Sequence, residues 1–194
     1  MLVMILPSII SSAENNVLSL NYYQNSCPHA EDIIAKAVIR HPDLAPGLIR
    51  LPFHDCFVNG CDASVTLDST PSGRRVEKDS GVNLPFLNGL NVIDEAKAEL
   101  EAECPETVSC ADIIQYAARD AVLIAGQGLL ESDQVLNLDP RTANIVNKMA
   151  SPKGRWKEEK FAKAMIKMGK IELKTGTQGE IRKQCTRVNF QKHI

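Results

Sequence analysis

Residues 50–64, RLPFHDCFVNGCDAS, combine an arginine, a histidine, two cysteines and two aspartates in one short segment. If this segment is helical, Arg50 and His54 lie one turn apart on the same face. A neutral imidazole beside a permanent positive charge can move one proton while negative charge builds on a neighbouring oxygen. Arginine and histidine at this spacing are also common on solvated helix faces. The pair therefore indicates acid–base chemistry only together with other features.

The cysteines and the acidic residues beside them allow two kinds of metal site. Zinc would need nitrogen and sulfur ligands, here His54, Cys56 and Cys61. Calcium would need several oxygens, here those of Asp55, Asp62, Ser64 and backbone carbonyls. In the calcium alternative a short disulfide closes the loop, which favours this alternative in a secreted chain. A plain turn without an ion is the third interpretation.

Apolar residues recur at helical spacing in five segments of the chain. Pro42 and Pro105 end the first and third segments, and Ser109 with Asp112 forms a capping box that opens the fourth. Residues 70–88 carry Gly, Pro, Ser and Asn without a period and are predicted to be loop. Since strand patterning is weak, the sequence predicts an all-α fold. The predicted helices are 30–41, 48–57, 91–103, 111–125 and 157–168.

The chain of 194 residues has the length of one domain, and its 44% apolar and 24% charged residues are typical of a soluble globular protein. A net charge of -2 favours no polyanionic partner. Residues 1–13 hold an apolar run followed by small residues, which resembles a remnant secretory signal ending at Ala13. A buried helix start is the alternative. Six cysteines suit a secreted, disulfide-bonded chain.

Four segments, taken together, resemble the class III haem peroxidases, the secretory plant peroxidases. FHDCFVNGCDAS, residues 53–64, resembles the family segment that carries the distal histidine. Residues 18–34 resemble its opening helix and first cysteine, residues 89–122 the stretch with two further cysteines, and residues 167–185 its closing segment. The resemblance implies an all-α haem peroxidase-like fold that uses hydrogen peroxide as oxidant and phenols or similar molecules as reductants.

Through this resemblance, single residues acquire expected roles. His54 matches the distal histidine, which moves a proton between the two peroxide oxygens. Arg50 matches the arginine that stabilises charge on the leaving oxygen. Asn83 matches the asparagine whose side-chain oxygen holds the other N–H of the histidine and so fixes its tautomer. Phe53 matches the aromatic residue beside the distal haem pocket.

The resemblance also implies a distal calcium site and three disulfides. The ligands are side-chain oxygens and, at Val58 and Gly60, backbone oxygens; the set is Asp55, Val58, Gly60, Asp62 and Ser64. Glu77 completes the site through water. The disulfides join Cys27 to Cys104, Cys56 to Cys61 and Cys110 to Cys185. Loop-entropy arithmetic gives the last of these a stabilisation of about 4 kcal/mol.

The resemblance breaks between Gly126 and Gly128. Residues before this point resemble the end of a helix in the first half of the family, and those after it resemble a segment near its end. The family segment between them carries the proximal histidine that ligates haem iron, a substrate loop, a second calcium site and another cysteine pair. Residues 14–194 are therefore expected to hold the distal half plus the C-terminal segment. His29, His41 and His193 lie in no comparable context and are expected at the surface.

Two functions follow from these observations. The first is a peroxidase with haem b and Ca²⁺ that reduces hydrogen peroxide, oxidises small phenolic donors, and acts in peroxide removal and oxidative stress. The second is a haem-free calcium-binding or interaction product of a shortened peroxidase transcript. The chain is expected to be a secreted monomer, extracellular or vacuolar, without nucleic-acid or membrane partners. Residues 153–174, with eight basic and three acidic residues, are interpreted as a solvated helix face rather than a nucleic-acid or membrane helix.

Overall fold

The structure is a computed structural model that describes residues 18–19, 21–83, 86–124, 138–150 and 160–189. Within these ranges the chain forms α-helices and short 3₁₀ helices, and its only bridge of strand type joins Gln184 to Arg187. The all-α prediction is confirmed for the described residues. The α-helices are α1 (Ala30–Arg40), α2 (Ala45–Asn59), α3 (Leu90–Glu103), α4 (Cys110–Ile124), α5 (Pro140–Ala150) and α6 (Ala162–Met168). The 3₁₀ helices are Pro42–Leu44, Ser64–Thr66 and Glu77–Asp79.

Helix α4 is the centre of the core, because it packs against α1, α2 and α3. Ile113, Ile114, Ala117 and Ala121 of α4 are buried in the core, and the small alanines leave room for the neighbouring helices. Helices α1 and α3 also pack against each other. The largest buried apolar side chains at these contacts are Ile34 and Val38 of α1, Leu48 and Leu51 of α2, Ile93 and Leu100 of α3, and Ile113 and Ile114 of α4.

The start of α4 agrees with the predicted capping box and extends it. Ser109 Oγ accepts the N–H of Asp112 at 3.0 Å and donates to an oxygen of the Asp112 carboxylate at 2.7 Å. The hydroxyl of Tyr23 donates to the same carboxylate oxygen. Burial and the adjacent Asp112 carboxylate raise the pKa of Tyr23, so this phenol stays protonated and remains a donor. The cap thus ties the segment before α1 to the first turn of α4.

Helix α2 is longer than the predicted segment 48–57. Pro46 lies in its first turn, where a missing N–H is tolerated. Pro52 lies in its interior, where it removes the hydrogen bond to the carbonyl of Leu48. Pro52 is nevertheless buried, and the helix continues to Asn59. The packing of α2 on α4 therefore outweighs the loss of one backbone hydrogen bond.

Helix α5 was not predicted from the sequence, although its start carries a recognisable cap. Asp139 Oδ1 accepts the N–H of Arg141 at 2.8 Å, and Pro140 occupies the first helical position. The predicted loop 70–88 contains the 3₁₀ helix Glu77–Asp79. The remnant signal at residues 1–13, the break between Gly126 and Gly128, and the start of the predicted helix 157–168 lie outside the described residues.

Three disulfides join the helices to the connecting segments, with the same pairing that the resemblance implies. Cys27 is joined to Cys104, Cys56 to Cys61, and Cys110 to Cys185. The first and third connect positions 77 and 75 residues apart, so each removes considerable freedom from the unfolded chain. Within the described ranges, no helix has the length and apolar character needed to cross a bilayer.

Truncation of the core at α1 should destabilise the fold strongly. Ile34→Ala removes a side chain of α1 that is completely buried in the core, and we expect it to lower the free energy of unfolding by about 2–5 kcal/mol. Ile39→Ala is the matched control on the same helix, because Ile39 is 62% exposed. Its effect should stay within about 0.5 kcal/mol. Urea unfolding of the oxidised chain, followed by circular dichroism, measures both; equal losses would contradict this description of the core.

Candidate active site and cation loop

The outer face of α2 carries the two residues for which acid–base chemistry was predicted. Leu48, Leu51 and Asp55 are buried on the inner side of the helix. Arg50 and His54, one turn apart, are half-buried on the other side. Arg50 makes no hydrogen bond or ion pair with any residue that the structure describes, so its charge is available to a ligand.

His54 is in hydrogen-bond contact with Asn83. His54 Nδ1 lies 2.5 Å from Asn83 Oδ1. Asn83 Nδ2 donates to the backbone carbonyl of Glu77 at 2.7 Å, and a carbonyl can only accept. The amide orientation is therefore fixed, so Oδ1 is the acceptor and His54 Nδ1 carries the proton. The lone pair is left on Nε2, which makes this nitrogen a base.

An apolar surface surrounds this histidine. A depression of about 280 Å³ is lined by Phe53, His54, Val58, Glu77, Ser80, Val82 and Asn83. Several of the apolar side chains near it are unusually open: Phe53 is 42% exposed, Phe57 66% and Val82 69%. The rings of Phe53 and Phe57 stack with their centroids 6.3 Å apart. An exposed aromatic surface of this kind marks a binding or packing site.

Asp55 is the most unusual polar group of the site. Its residue is completely buried, and its Oδ2 accepts the N–H of Ala63 at 3.0 Å. Its Oδ1 is buried and has no hydrogen-bond partner among the described residues. Burial raises the pKa of Asp55 to about 7, and the neighbouring carboxylates of Asp62 and Glu77 act in the same direction. A cation at this oxygen would remove the energetic penalty of burying the charged form.

The loop after α2, residues 60–66, is called the cation loop here. Ser64 donates its N–H to Asp62 Oδ1 at 2.9 Å and its hydroxyl to Glu77 Oε1 at 3.0 Å. Asn59 donates to the same Glu77 oxygen at 3.1 Å, whereas Glu77 Oε2 is buried without a partner among the described residues. Asp62 of the loop thus lies near the carboxylates of Asp55 and Glu77, and one buried oxygen of each of these two has no donor among the described residues.

These donors fit a hard cation and do not fit zinc. The zinc alternative fails because Cys56 and Cys61 are joined to each other and His54 is bound to Asn83. Among the described residues, no three histidine, cysteine, aspartate or glutamate side chains cluster closely enough to enclose a metal alone. A cation would therefore also need hydroxyl and carbonyl oxygens, which is the preference of calcium. The carbonyl of Gly60, one of the ligands that the resemblance implies, accepts the N–H of Asp62 at 3.0 Å.

Glu77 connects the cation loop to the histidine. Its side chain contacts Ser64, and its backbone carbonyl holds the amide of Asn83. Asn83 in turn holds His54. A shift of Glu77 would therefore move the imidazole, so the two groups form one connected unit.

The same residues fit only one side of a haem. Arg50, His54 and the exposed phenylalanines offer a positive charge, a base and an aromatic surface to a bound haem, whose iron would need a further ligand from another part of the protein. His29 pairs with Glu103 at 2.7 Å and His41 with Glu95 at 2.8 Å, both on the exposed side of α3. His193 lies outside the described residues. Among the described residues, His54 is therefore the only histidine that lies at the outer face of α2.

Comparison with known proteins assigns the chain to a family. The family model described as Peroxidase matches residues 30–128. The chain is 55% identical to Peroxidase 5 of Vitis vinifera over 113 residues, which covers 56% of this chain and 34% of that protein. It is 49% identical to Peroxidase 40 of Arabidopsis thaliana over 143 residues, which covers 70% of this chain and 40% of that protein.

A third relative is Peroxidase 47 of Arabidopsis thaliana, 54% identical over 113 residues, with 56% of this chain and 34% of that protein covered. Because the family model spans half of its length, the chain belongs to the peroxidase family, and its relatives are plant peroxidases of class III. The predicted family is thereby confirmed. The chain spans between 34% and 40% of the length of these three relatives.

Two polar residues of the site were not identified from the sequence. Asn59 supports Glu77, and Arg182 donates to the backbone of the cation loop. Asn59 directly precedes the loop glycine, so turn chemistry could have indicated it. Arg182 stands alone in a polar segment far along the chain, and no local pattern marks it.

Removal of the Asn83 amide should release the histidine tautomer. We expect Asn83→Ala to populate the form of His54 with the proton on Nε2, because Nδ1 loses its acceptor. Nitrogen-15 NMR of the imidazole distinguishes the two forms directly. Asn91→Ala is the control, because Asn91 is exposed on α3. An unchanged spectrum in Asn83→Ala would show that this hydrogen bond does not set the tautomer.

Proposed function

We propose that the chain carries the peroxide-handling side of a haem peroxidase, which reduces hydrogen peroxide while oxidising small phenolic donors. The observation that carries this proposal is the hydrogen bond between His54 and Asn83 beside an open apolar face. A histidine held in this tautomer is a proton acceptor, and Arg50 adds a permanent positive charge one helical turn away. Membership of the peroxidase family supports the same chemistry.

The two side chains have complementary roles in breaking the O–O bond. His54 Nε2 takes a proton from one oxygen of hydrogen peroxide and returns it to the other, which then leaves as water. Negative charge builds on the leaving oxygen during this step, and the Arg50 guanidinium stabilises it. Asn83 keeps Nδ1 protonated, so only Nε2 exchanges the proton. A bound haem would supply the electrons that the cleavage requires.

The distal side of haem b would be held by Phe53 and the outer face of α2. None of the residues that the structure describes is proposed to ligate the iron of a bound haem. We therefore include in the proposal the break in the family pattern between Gly126 and Gly128, across which the family carries its proximal histidine. Complete turnover then requires that this ligand be supplied in another way.

Calcium is the proposed second cofactor. Asp55 and Glu77 each have a buried oxygen without a partner among the described residues, which supports a cation in the loop. Asp62, Ser64 and the carbonyls of Val58 and Gly60 are the further proposed ligands. A cation there would hold Asp55 and Glu77 in place. Because Glu77 also holds Asn83, the ion would fix the imidazole as well.

A second candidate function is calcium binding without catalysis. The same unpartnered oxygens favour it, because they require neither haem nor a proximal ligand. In this case the chain would be a non-catalytic product of a shortened transcript that keeps the calcium loop and its interactions.

The three disulfides support a secreted protein, extracellular or vacuolar, because such bonds persist in oxidising compartments. A role in peroxide removal and oxidative stress follows from the proposed chemistry. We propose a monomer that acts on hydrogen peroxide and phenolic donors, without nucleic-acid or membrane partners.

The peroxide chemistry is tested by supplying imidazole from solution as a ligand for the haem iron. The oxidised chain is mixed with haem and imidazole, and guaiacol oxidation by hydrogen peroxide is compared with that of haem and imidazole alone. We expect the chain to accelerate turnover and His54→Leu to reduce the acceleration by about 100-fold or more, because the proton acceptor is lost. Soret absorbance reports haem binding independently of turnover.

His29→Leu and His41→Leu are the matched controls, since both histidines pair with glutamates away from the outer face of α2. They should keep both the spectrum and the rate. If the wild-type chain shows no acceleration, the peroxidase proposal fails. If the chain binds haem tightly with a histidine-ligated spectrum in the absence of imidazole, the proposed lack of a proximal ligand is wrong.

The calcium site is tested without haem. Calorimetric titration of the chelator-treated chain should show Ca²⁺ binding, and Glu77→Gln should weaken it by about tenfold or more, because a carboxylate that supports the site is neutralised. Asp79→Asn is the control, because Asp79 is exposed in the same 3₁₀ helix. Equal effects of the two substitutions would indicate general electrostatics rather than a site.

A further inference from the structure

Arg182 is a buried cation whose described hydrogen-bond partners are all neutral oxygens. Only 6% of the residue is exposed, and its guanidinium forms no ion pair with a described residue. Nη2 donates to the carbonyls of Asp62 at 3.1 Å and Ala63 at 2.8 Å. Nη1 donates to the carbonyl of Cys185 at 2.7 Å and to Thr66 Oγ1 at 3.4 Å. A buried guanidinium that donates to backbone carbonyls holds that part of the backbone in one conformation.

The backbone that Arg182 holds is strained. Ala63 has a φ of 59°, in the left-handed region that residues with a Cβ rarely adopt. Its carbonyl accepts from Arg182, and its N–H donates to Asp55 Oδ2 at 3.0 Å. The N–H of the strained residue Ala63 is thus held by Asp55, and its carbonyl is held by Arg182 of the C-terminal segment. Such a conformation persists only where its surroundings impose it.

The C-terminal segment, residues 169–189, covers the cation loop beyond this one contact. Cys61 donates its N–H to the carbonyl of Ile171 at 3.3 Å, and Asp68 donates to the carbonyl of Thr186 at 2.8 Å. Gly60 has a φ of 83°, and a Cβ built there would lie 2.6 Å from the Cβ of Glu172. The loop and the segment therefore fit together only in one arrangement, which the disulfide of Cys185 to Cys110 anchors to α4.

We propose that Arg182 is a positioning residue of the cation loop: it holds Asp62 and Ala63 in the conformation that binds Ca²⁺, and so sets the calcium affinity without touching the ion. The inference rests on the calcium site of the proposed function. Arg182 turns the carbonyls of Asp62 and Ala63 toward itself. The carboxylates of Asp55 and Asp62 thereby remain the oxygens that face the cation.

Charge and geometry predict opposite effects of removing Arg182. A guanidinium near a divalent cation repels it, so pure electrostatics predicts tighter calcium binding when the charge is lost. Positioning predicts weaker binding whether or not the charge is kept. Arg182→Lys keeps the charge but cannot reach all four acceptors, whereas Arg182→Met removes both.

The experiment measures Ca²⁺ affinity of the full oxidised chain by calorimetric titration after chelator treatment. We expect both Arg182→Lys and Arg182→Met to weaken binding by about 10–100-fold, as is typical when a group that orients metal ligands is lost. Lys183→Met is the matched control: it removes one positive charge from the next residue, which is exposed and pairs with Glu106 at 2.6 Å. It should leave the affinity nearly unchanged.

Ala63→Gly separates positioning from general destabilisation. Glycine adopts a φ of 59° without strain, so the loop no longer depends on Arg182 for this conformation. The double variant with Arg182→Lys should therefore regain much of the lost affinity. If Arg182→Lys does not fold, Thr66→Val replaces it, because this change keeps the side-chain shape and removes a buried hydroxyl that accepts from Arg182 and lies 2.8 Å from the same Ala63 carbonyl. It should weaken Ca²⁺ binding measurably.

Three results would overturn the inference. The first is wild-type Ca²⁺ affinity in the folded Arg182→Lys variant, or in Thr66→Val where that variant is used instead. The others are tighter Ca²⁺ binding in Arg182→Met and no recovery of affinity when Ala63→Gly is added to Arg182→Lys. A wild-type chain that binds no Ca²⁺ would overturn the calcium site itself, and this inference with it. A chain that binds Ca²⁺ but fails to accelerate peroxide turnover would remove the peroxidase proposal and leave the role of Arg182 standing.

Discussion

The buried carboxylate of Asp55 is the constraint on which the site depends. A carboxylate taken out of water must be protonated, paired or bound to a cation, and only one of its oxygens finds a donor among the described residues. The adjacent residue in the chain is His54, on the outer face of the same helix. A single turn of α2 therefore places both the buried carboxylate of Asp55 and the imidazole of His54.

The surroundings of Asp55 lead by short contacts to the imidazole. Glu77 contributes a carboxylate to the cation loop and a backbone carbonyl to Asn83, and Asn83 fixes the proton of His54. Each of these links uses a group that can act only as donor or only as acceptor, so the direction of the hydrogen bonds is determined. A rigid cation loop thereby helps to fix the tautomer of His54 through Glu77 and Asn83.

Helix α2 meets two requirements at once. Its inner side packs on α4, which the Cys110–Cys185 disulfide and the Tyr23–Asp112 cap connect to distant parts of the chain. Its outer side exposes Phe53, Phe57 and Val58, which a folded protein normally buries. The stable inner contact allows the helix to hold Pro52 in its interior and to keep this apolar face open.

The sequence by itself determined the helices with strong periodicity, the cap at Ser109 and the arrangement of Arg50 and His54 one turn apart, because all of these depend on neighbours within a few residues. It also carried the family motifs from which the roles of Asn83 and Glu77 were proposed. Helix α5 was missed although Asp139 and Pro140 form a local cap at its start. Only the tertiary structure decided that one oxygen of Asp55 has no donor within the described part of the chain and that Arg182 holds the carbonyls of Asp62 and Ala63. These contacts join positions more than a hundred residues apart in the case of Arg182. Hydrogen bonds at such separation depend on how the whole chain packs, and they leave no periodic or local pattern from which they could be predicted.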